Sequence, residues 1–162
     1  MRALLQERVY QLEKTTANNH SNSGKPLMTN VLYFGCRYKS VDFIYKEEIE
    51  ELMARSGGKS KLLVAFSREP QFNGSDEKKK LYVQHVLQEE ENAKGLLRLL
   101  FQEGGYIYVC GGTAMGNDVQ RALVDILIKY GQEKGGMDEK RAMEELSKLQ
   151  KAGRYVQELW SA

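Results

Sequence analysis

Three short segments carry side chains that could do chemistry, and each follows an apolar run. They are Gly35-Cys36-Arg37, Ser67-Arg68, and Cys110-Gly111-Gly112 with the turn that continues to Gly116. A hydroxyl beside a guanidinium, as in Ser67-Arg68, can take a phosphate through charge-assisted hydrogen bonds. Lys80, closing the same loop, would add a further donor. An arginine at such a strand end is how α/β nucleotide sites accept the extra ribose phosphate of NADP; the alternative is an ordinary solvated loop. Gly111-Gly112-Thr113-Ala114-Met115-Gly116 stands between a strand and a helix, where backbone amides can approach a phosphate. It can equally be a tight turn. Its spacing is G-G-x-x-x-G rather than G-x-G-x-x-G, and no acidic residue ends a following strand about 20 residues on, so a standard NAD site is disfavoured.

Cys36 and Cys110 each end an apolar run, and packing is the default role for a buried cysteine. Neither has a second cysteine at metal-ligand spacing. The two histidines, His20 and His85, fall in a polar loop and on a helix, so no zinc site follows. The absence of a Gly-x-Ser-x-Gly elbow also argues against a hydrolase triad. Trp160, the single tryptophan, stands two residues from the end. It is either a core anchor for a last strand or a planar platform for a flat ligand.

The elements that must position these residues alternate. Asn30–Gly35, Leu62–Phe66 and Tyr106–Cys110 are apolar runs of strand length, and Arg154–Trp160 reads as a closing strand. Leu5, Val9 and Leu12 mark a helical face, as do Tyr45, Ile49, Leu52 and Met53 up to Gly57-Gly58. Helical stretches begin at Val83 and run through Leu100 to Gly104-Gly105. The strongest helix carries Val119, Ala122, Leu123, Ile126, Leu127 and Tyr130 on one side. Asp138 is an N-cap for a further helix using Ala142, Leu146 and Leu149, stopped by Gly153. Alternating strands and helices predict a doubly wound parallel α/β sheet, with ligands outside the carboxyl ends of its strands. All three candidate segments lie at such ends.

The 162 residues are the length of one domain. With 24 Lys and Arg against 22 Asp and Glu, the charge balance gives no sign of a nucleic-acid partner. No apolar run could span a bilayer, and the charged N-terminus is unlike a signal peptide. Two cysteines without a secretory signal indicate a reducing, cytoplasmic compartment.

Tyr33-Phe34-Gly35-Cys36-Arg37, Asp42-Phe43, Ala65-Phe66-Ser67-Arg68-Glu69, Tyr82-Val83-Gln84-His85, Tyr108-Val109-Cys110-Gly111 and Gly153-Arg154-Tyr155 through Trp160-Ser161 occur in one order. That order resembles the C-terminal NADPH-binding module of the diflavin reductases, over about Leu4 to Trp160. The Trp-Ser ending is most similar to the NADPH–cytochrome P-450 reductase branch. The resemblance implies that Ser67, Arg68 and Lys80 grip the 2′-phosphate of NADPH, with Tyr82 and Gln84 assisting. It puts Arg37 near the adenine and pyrophosphate, and Gly111 and Asp118 among the cofactor-binding residues. Cys110 would lie beside the nicotinamide, and Trp160 would stack on the flavin and move aside for nicotinamide. Glu158 would be the acidic group assisting hydride transfer, in place of the family's usual Asp.

By the same resemblance, the intact enzyme passes hydride from NADPH to FAD, then electrons through FMN to a haemoprotein such as cytochrome P-450. Other diflavin branches remain alternatives: sulfite reductase flavoprotein, iron–sulfur assembly reductase and nitric oxide synthase reductase. So does a non-catalytic nucleotide-binding module. The departures are Gly112 where the family often has Asp, longer loops at Thr15–Lys25 and Pro70–Lys79, and no family first strand or Gly-rich loop before the opening helix. The expectation is an NADPH-binding domain over 1–162, partial at its N-terminus, from a longer enzyme or a truncated gene model. FAD and FMN would be bound mainly by regions outside the chain, which would be inactive alone. The intact protein could be anchored to the endoplasmic reticulum with this domain in the cytosol.

Overall fold

A computed structural model describes residues 2–17, 29–69, 80–131 and 137–161. Most of the polar loop at 15–25 and all of the loop at 70–79 lie outside them. The chain divides into two compact units, Met1–Tyr82 and Val83–Ala162.

The first unit contains α1 (Arg2–Ala17), β1 (Asn30–Cys36), α2 (Lys46–Arg55) and β2 (Ser60–Phe66). β1 and β2 pair in parallel, Asn30 opposite Ser60 through Cys36 opposite Phe66. Side chains alternate between the faces of a strand. Leu32, Phe34 and Cys36 therefore share a face with Leu62, Val64 and Phe66. That face packs with Leu5 and Val9 of α1, Ile49 and Leu52 of α2, and Phe43. Phe43 stacks on Phe34 at 4.9 Å between centroids. Gly57 and Gly58 end α2 with φ of 61° and 78°, the left-handed region that glycine enters without a Cβ penalty.

The second unit contains α3 (Val83–Gln88), α4 (Glu90–Leu97), β3 (Ile107–Gly112), α5 (Thr113–Tyr130), α6 (Glu139–Lys151) and β4 (Tyr155–Trp160), with a π-helical turn at Arg98–Gln102. β3 and β4 pair in parallel, Ile107 opposite Tyr155 through Gly112 opposite Trp160. The long apolar stripe of α5 is its buried side, and α5 packs on both strands and on α3, α4 and α6. The Asp138 carboxylate accepts from the Arg141 N–H at 2.8 Å, the N-cap bond that the sequence pattern called for. Arg154 ties the start of β4 to the π-helical region, donating to the carbonyls of Leu100 and Gly105.

The α/β class and the parallel pairing are those expected of a ferredoxin-reductase-type NADP-binding domain. Among the described residues, each unit holds one parallel pair, β1 with β2 and β3 with β4. Among the described residues, no helix is long and apolar enough to cross a membrane.

Candidate functional site

Within the first unit, β1 and β2 bring Arg37, Ser67 and Arg68 to one strand-end corner. The Ser67 N–H donates to the Cys36 carbonyl at 2.9 Å, and the Arg68 N–H to the Arg37 carbonyl at 3.0 Å. The parallel ladder thus runs on past both strand ends and fixes the backbone from which the two arginines project. The Ser67 hydroxyl turns back to the Cys36 carbonyl at 3.4 Å. Arg68 is exposed, so its guanidinium faces solvent at low desolvation cost.

Arg37 is not idle in this corner. Its guanidinium donates to the Asp42 carboxylate at 2.8 Å, while the Tyr38 N–H donates to the other carboxylate oxygen at 3.1 Å. The Arg37 bond holds the Asp42 carboxyl below its ordinary range, with the Tyr38 N–H and the charge of Arg68 acting in the same direction. The same pairing raises Arg37. Glu69 accepts from the Lys39 N–H at 2.5 Å, which ties the two loops together. The Arg37–Asp42 bond was not legible in the sequence, although Asp42 belongs to one of its motifs.

Cys36 points into the packed face, and burial, followed by the charges of Asp42 and Glu69, pushes its thiol up. A thiol held protonated is a packing group rather than a nucleophile. Lys80 and Tyr82 are both exposed at the end of this unit.

Within the second unit the register of β3 and β4 sorts the candidates by face. Val109, Gly111, Tyr155 and Leu159 face α5: the Met115 side chain lies where a Cβ on Gly111 would stand, and a Cβ on Gly116 would meet Leu159 Cδ1 and Cδ2 at 2.5 Å. The opposite face carries Tyr108, Cys110 and Gly112 beside Val156, Glu158 and Trp160. Cys110 stands directly opposite Glu158, and Gly112 opposite Trp160. Paired residues in a parallel ladder sit about 4.8 Å apart across the strands, which makes Cys110 and Glu158 cross-strand neighbours on that face. Glu158 is exposed, Cys110 half-buried, and the Trp160 side is 56% exposed. An indole left that open is not a core anchor within this unit.

Gln84 and Asp118 meet through a 3.4 Å hydrogen bond from the Gln84 amide, joining α3 to the first turns of α5. Gly112 precedes α5 with no side chain to cap it, which leaves the first amides of the helix for an anion. The residues present therefore fit a dinucleotide phosphate and a nicotinamide. Sequence reasoning missed Thr113, whose hydroxyl donates to the Trp160 carbonyl at 3.2 Å.

Exposed basic groups at a strand end of the first unit, and a thiol, a carboxylate and an indole on one sheet face of the second, make up the candidate nucleotide-binding side chains of this α/β chain. The chain belongs to the oxidoreductase NAD-binding domain family, whose model matches residues 2–121. It is 40% identical over 140 residues to an NADPH–cytochrome P450 reductase of Salmo trutta, covering 86% of this chain and 21% of that protein. It is 39% identical over 131 residues to a methionine synthase reductase of Rattus norvegicus, covering 80% of this chain and 18% of that protein. The reductase of Sus scrofa matches at 36% over 139 residues, covering 85% and 18%. The chain thus spans about a fifth of the length of these relatives. The resemblance to the diflavin reductases drawn from its motifs is borne out, and the chain is an NAD(P)-binding oxidoreductase domain.

Proposed function

We propose that the chain is the NADPH-binding portion of a diflavin oxidoreductase that delivers hydride to FAD and, through FMN, electrons to a haemoprotein. The observation that carries this reading is the single sheet face shared by Cys110, Glu158 and Trp160. Bound NADPH would supply the hydride and a flavin would accept it; the protein supplies placement and charge. Ser67, Arg68 and Lys80 would hold the 2′-phosphate, with Tyr82 and Gln84 beside it. Arg37 would contact the adenine or pyrophosphate from its bond to Asp42, and Asp118 would hold Gln84 in place. Gly111 and the open start of α5 would receive the pyrophosphate. Cys110, through a small thiol, would let the nicotinamide approach the strand. Glu158 would stabilise positive charge developing on the ring, and Trp160 would cover the flavin face until nicotinamide takes its place.

In this reading residues 1–162 are one partial domain of a longer polypeptide whose other domains bind FAD and FMN. The domain would work in the cytosol, with any anchor to the endoplasmic reticulum outside this chain. A cytochrome P-450-type acceptor is favoured by the fish and pig relatives. A methionine synthase-type acceptor is the second reading, favoured by the rat relative. Thermal melting with 2′,5′-ADP against 5′-AMP tests the nucleotide assignment. The reading expects a shift with 2′,5′-ADP that 5′-AMP does not match, and equal shifts would overturn it.

A further inference from the structure

We infer that Thr113 is a positioning residue for Trp160, locking the end of β4 to the first turn of α5 so that the indole moves by side-chain rotation on a fixed backbone. The inference rests on Trp160 being the ring that stacks and swings. A strand's last residue ordinarily frays, since its backbone has few partners. Here three contacts oppose fraying, all made to the same helical turn. The Thr113 hydroxyl donates to the Trp160 carbonyl at 3.2 Å. Leu159 lies against Gly116, where a Cβ would meet its Cδ atoms at 2.5 Å. The Gln157 amide donates to the Gly116 carbonyl at 3.5 Å.

Gly112 sits opposite Trp160 in the ladder, and a Cβ there would stand 4.0 Å from the Trp160 carbonyl, so that oxygen faces the turn from which Thr113 projects. Threonine suits the task because its branched Cβ leaves few χ1 rotamers in a helix, so the hydroxyl has few other directions to take. The indole itself stands on the other face of the sheet and is 56% exposed. Its backbone is tied down while its ring is free. Rotation about χ angles occurs in picoseconds to nanoseconds for exposed residues, far faster than peeling a strand end. Thr113 therefore makes displacement of the ring a rotamer change that leaves β4 in register, with Glu158 still opposite Cys110.

Trp160 is the sole tryptophan, so the intrinsic fluorescence of the 162-residue chain reports on it directly. Thr113→Val keeps the branched shape without the hydroxyl, Thr113→Ser keeps the hydroxyl, and Thr113→Ala serves if the valine variant does not fold. With far-UV circular dichroism confirming the fold, removing the hydroxyl is expected to lower Trp160 anisotropy and raise acrylamide quenching. Amide exchange at 159–161 should speed up about fivefold, the ordinary worth of one hydrogen bond. The serine variant should match the parent. Unchanged anisotropy and exchange without the hydroxyl, or failure of serine to restore them, would overturn the inference. The measurement uses neither nucleotide nor flavin, so this outcome leaves the stacking role of Trp160 to be judged on its own test.

Discussion

Cys110 stands directly opposite Glu158 in the parallel register of β3 and β4, with both side chains on the face away from α5. Trp160 lies two residues beyond Glu158 on the same face. The three groups come from two paired strands, so the pairing register decides whether they share a face. A slip by one residue would turn Glu158 and Trp160 toward α5 while leaving Cys110 where it is.

In the proposed diflavin enzyme, Cys110→Val is expected to slow NADPH-driven flavin reduction by about 10- to 100-fold, because the larger side chain holds the nicotinamide off its near-attack placement. Stopped-flow absorbance measures that step. Affinity for NADP⁺ should stay within about twofold, since the thiol is not among the phosphate ligands. A matched loss of affinity would instead make Cys110 a simple binding residue.

Arg68→Ala should weaken 2′,5′-ADP binding by about 1.5–3 kcal/mol, the range for a hydrogen bond to a charged group. Binding of 5′-AMP, which lacks the 2′-phosphate, should be unchanged. Competition assays with the two ligands give this ratio.

Tyr155 is buried, and its hydroxyl has no hydrogen-bond partner among the described residues. Burial pushes its pKa up to about 12. A folded-state value above the unfolded value of about 10 means that the stabilising contribution is complete below pH 10 and lost as pH rises towards 12. Tyr155→Phe should remove that alkaline loss. It should also raise stability at neutral pH by about 1 kcal/mol, because an unsatisfied buried hydroxyl is destabilising. Urea midpoints at neutral and alkaline pH check both effects.

Asp42 has the opposite sign. Its carboxyl is held low by Arg37, so the pair contributes above the ordinary carboxylate range near pH 4 and fades as pH falls through the lower folded value. Asp42→Asn should flatten the acid limb of a stability–pH curve, with a small effect because Arg37 is exposed. The same variant frees the Arg37 guanidinium, so any change in NADP⁺ affinity reports the adenine or pyrophosphate role.

Much of the fold was legible in the sequence because it is local. The spacing of Leu5, Val9 and Leu12, the long stripe on α5 and the Asp138 cap each obey a rule that acts within a few residues. The break between α3 and α4 at Glu89 and the π-helical turn after Leu97 were not legible, since continuous helical periodicity runs through both. Cys36 and Cys110 looked alike, each ending an apolar run. They differ because α1 and α2 cover the face on which Cys36 lies, whereas α5 packs on the face opposite Cys110. Which face a helix covers is decided by tertiary packing. The Thr113–Trp160 bond joins residues 47 apart and had no local signal.

Recognition of NADPH by its 2′-phosphate is checked by calorimetric titration of this chain with NADP⁺ and with NAD⁺. NADP⁺ should bind at least about tenfold more tightly than NAD⁺, and Arg68→Ala should bring the two affinities together. Equal affinities in the parent chain, or a preference that survives Arg68→Ala intact, would contradict it.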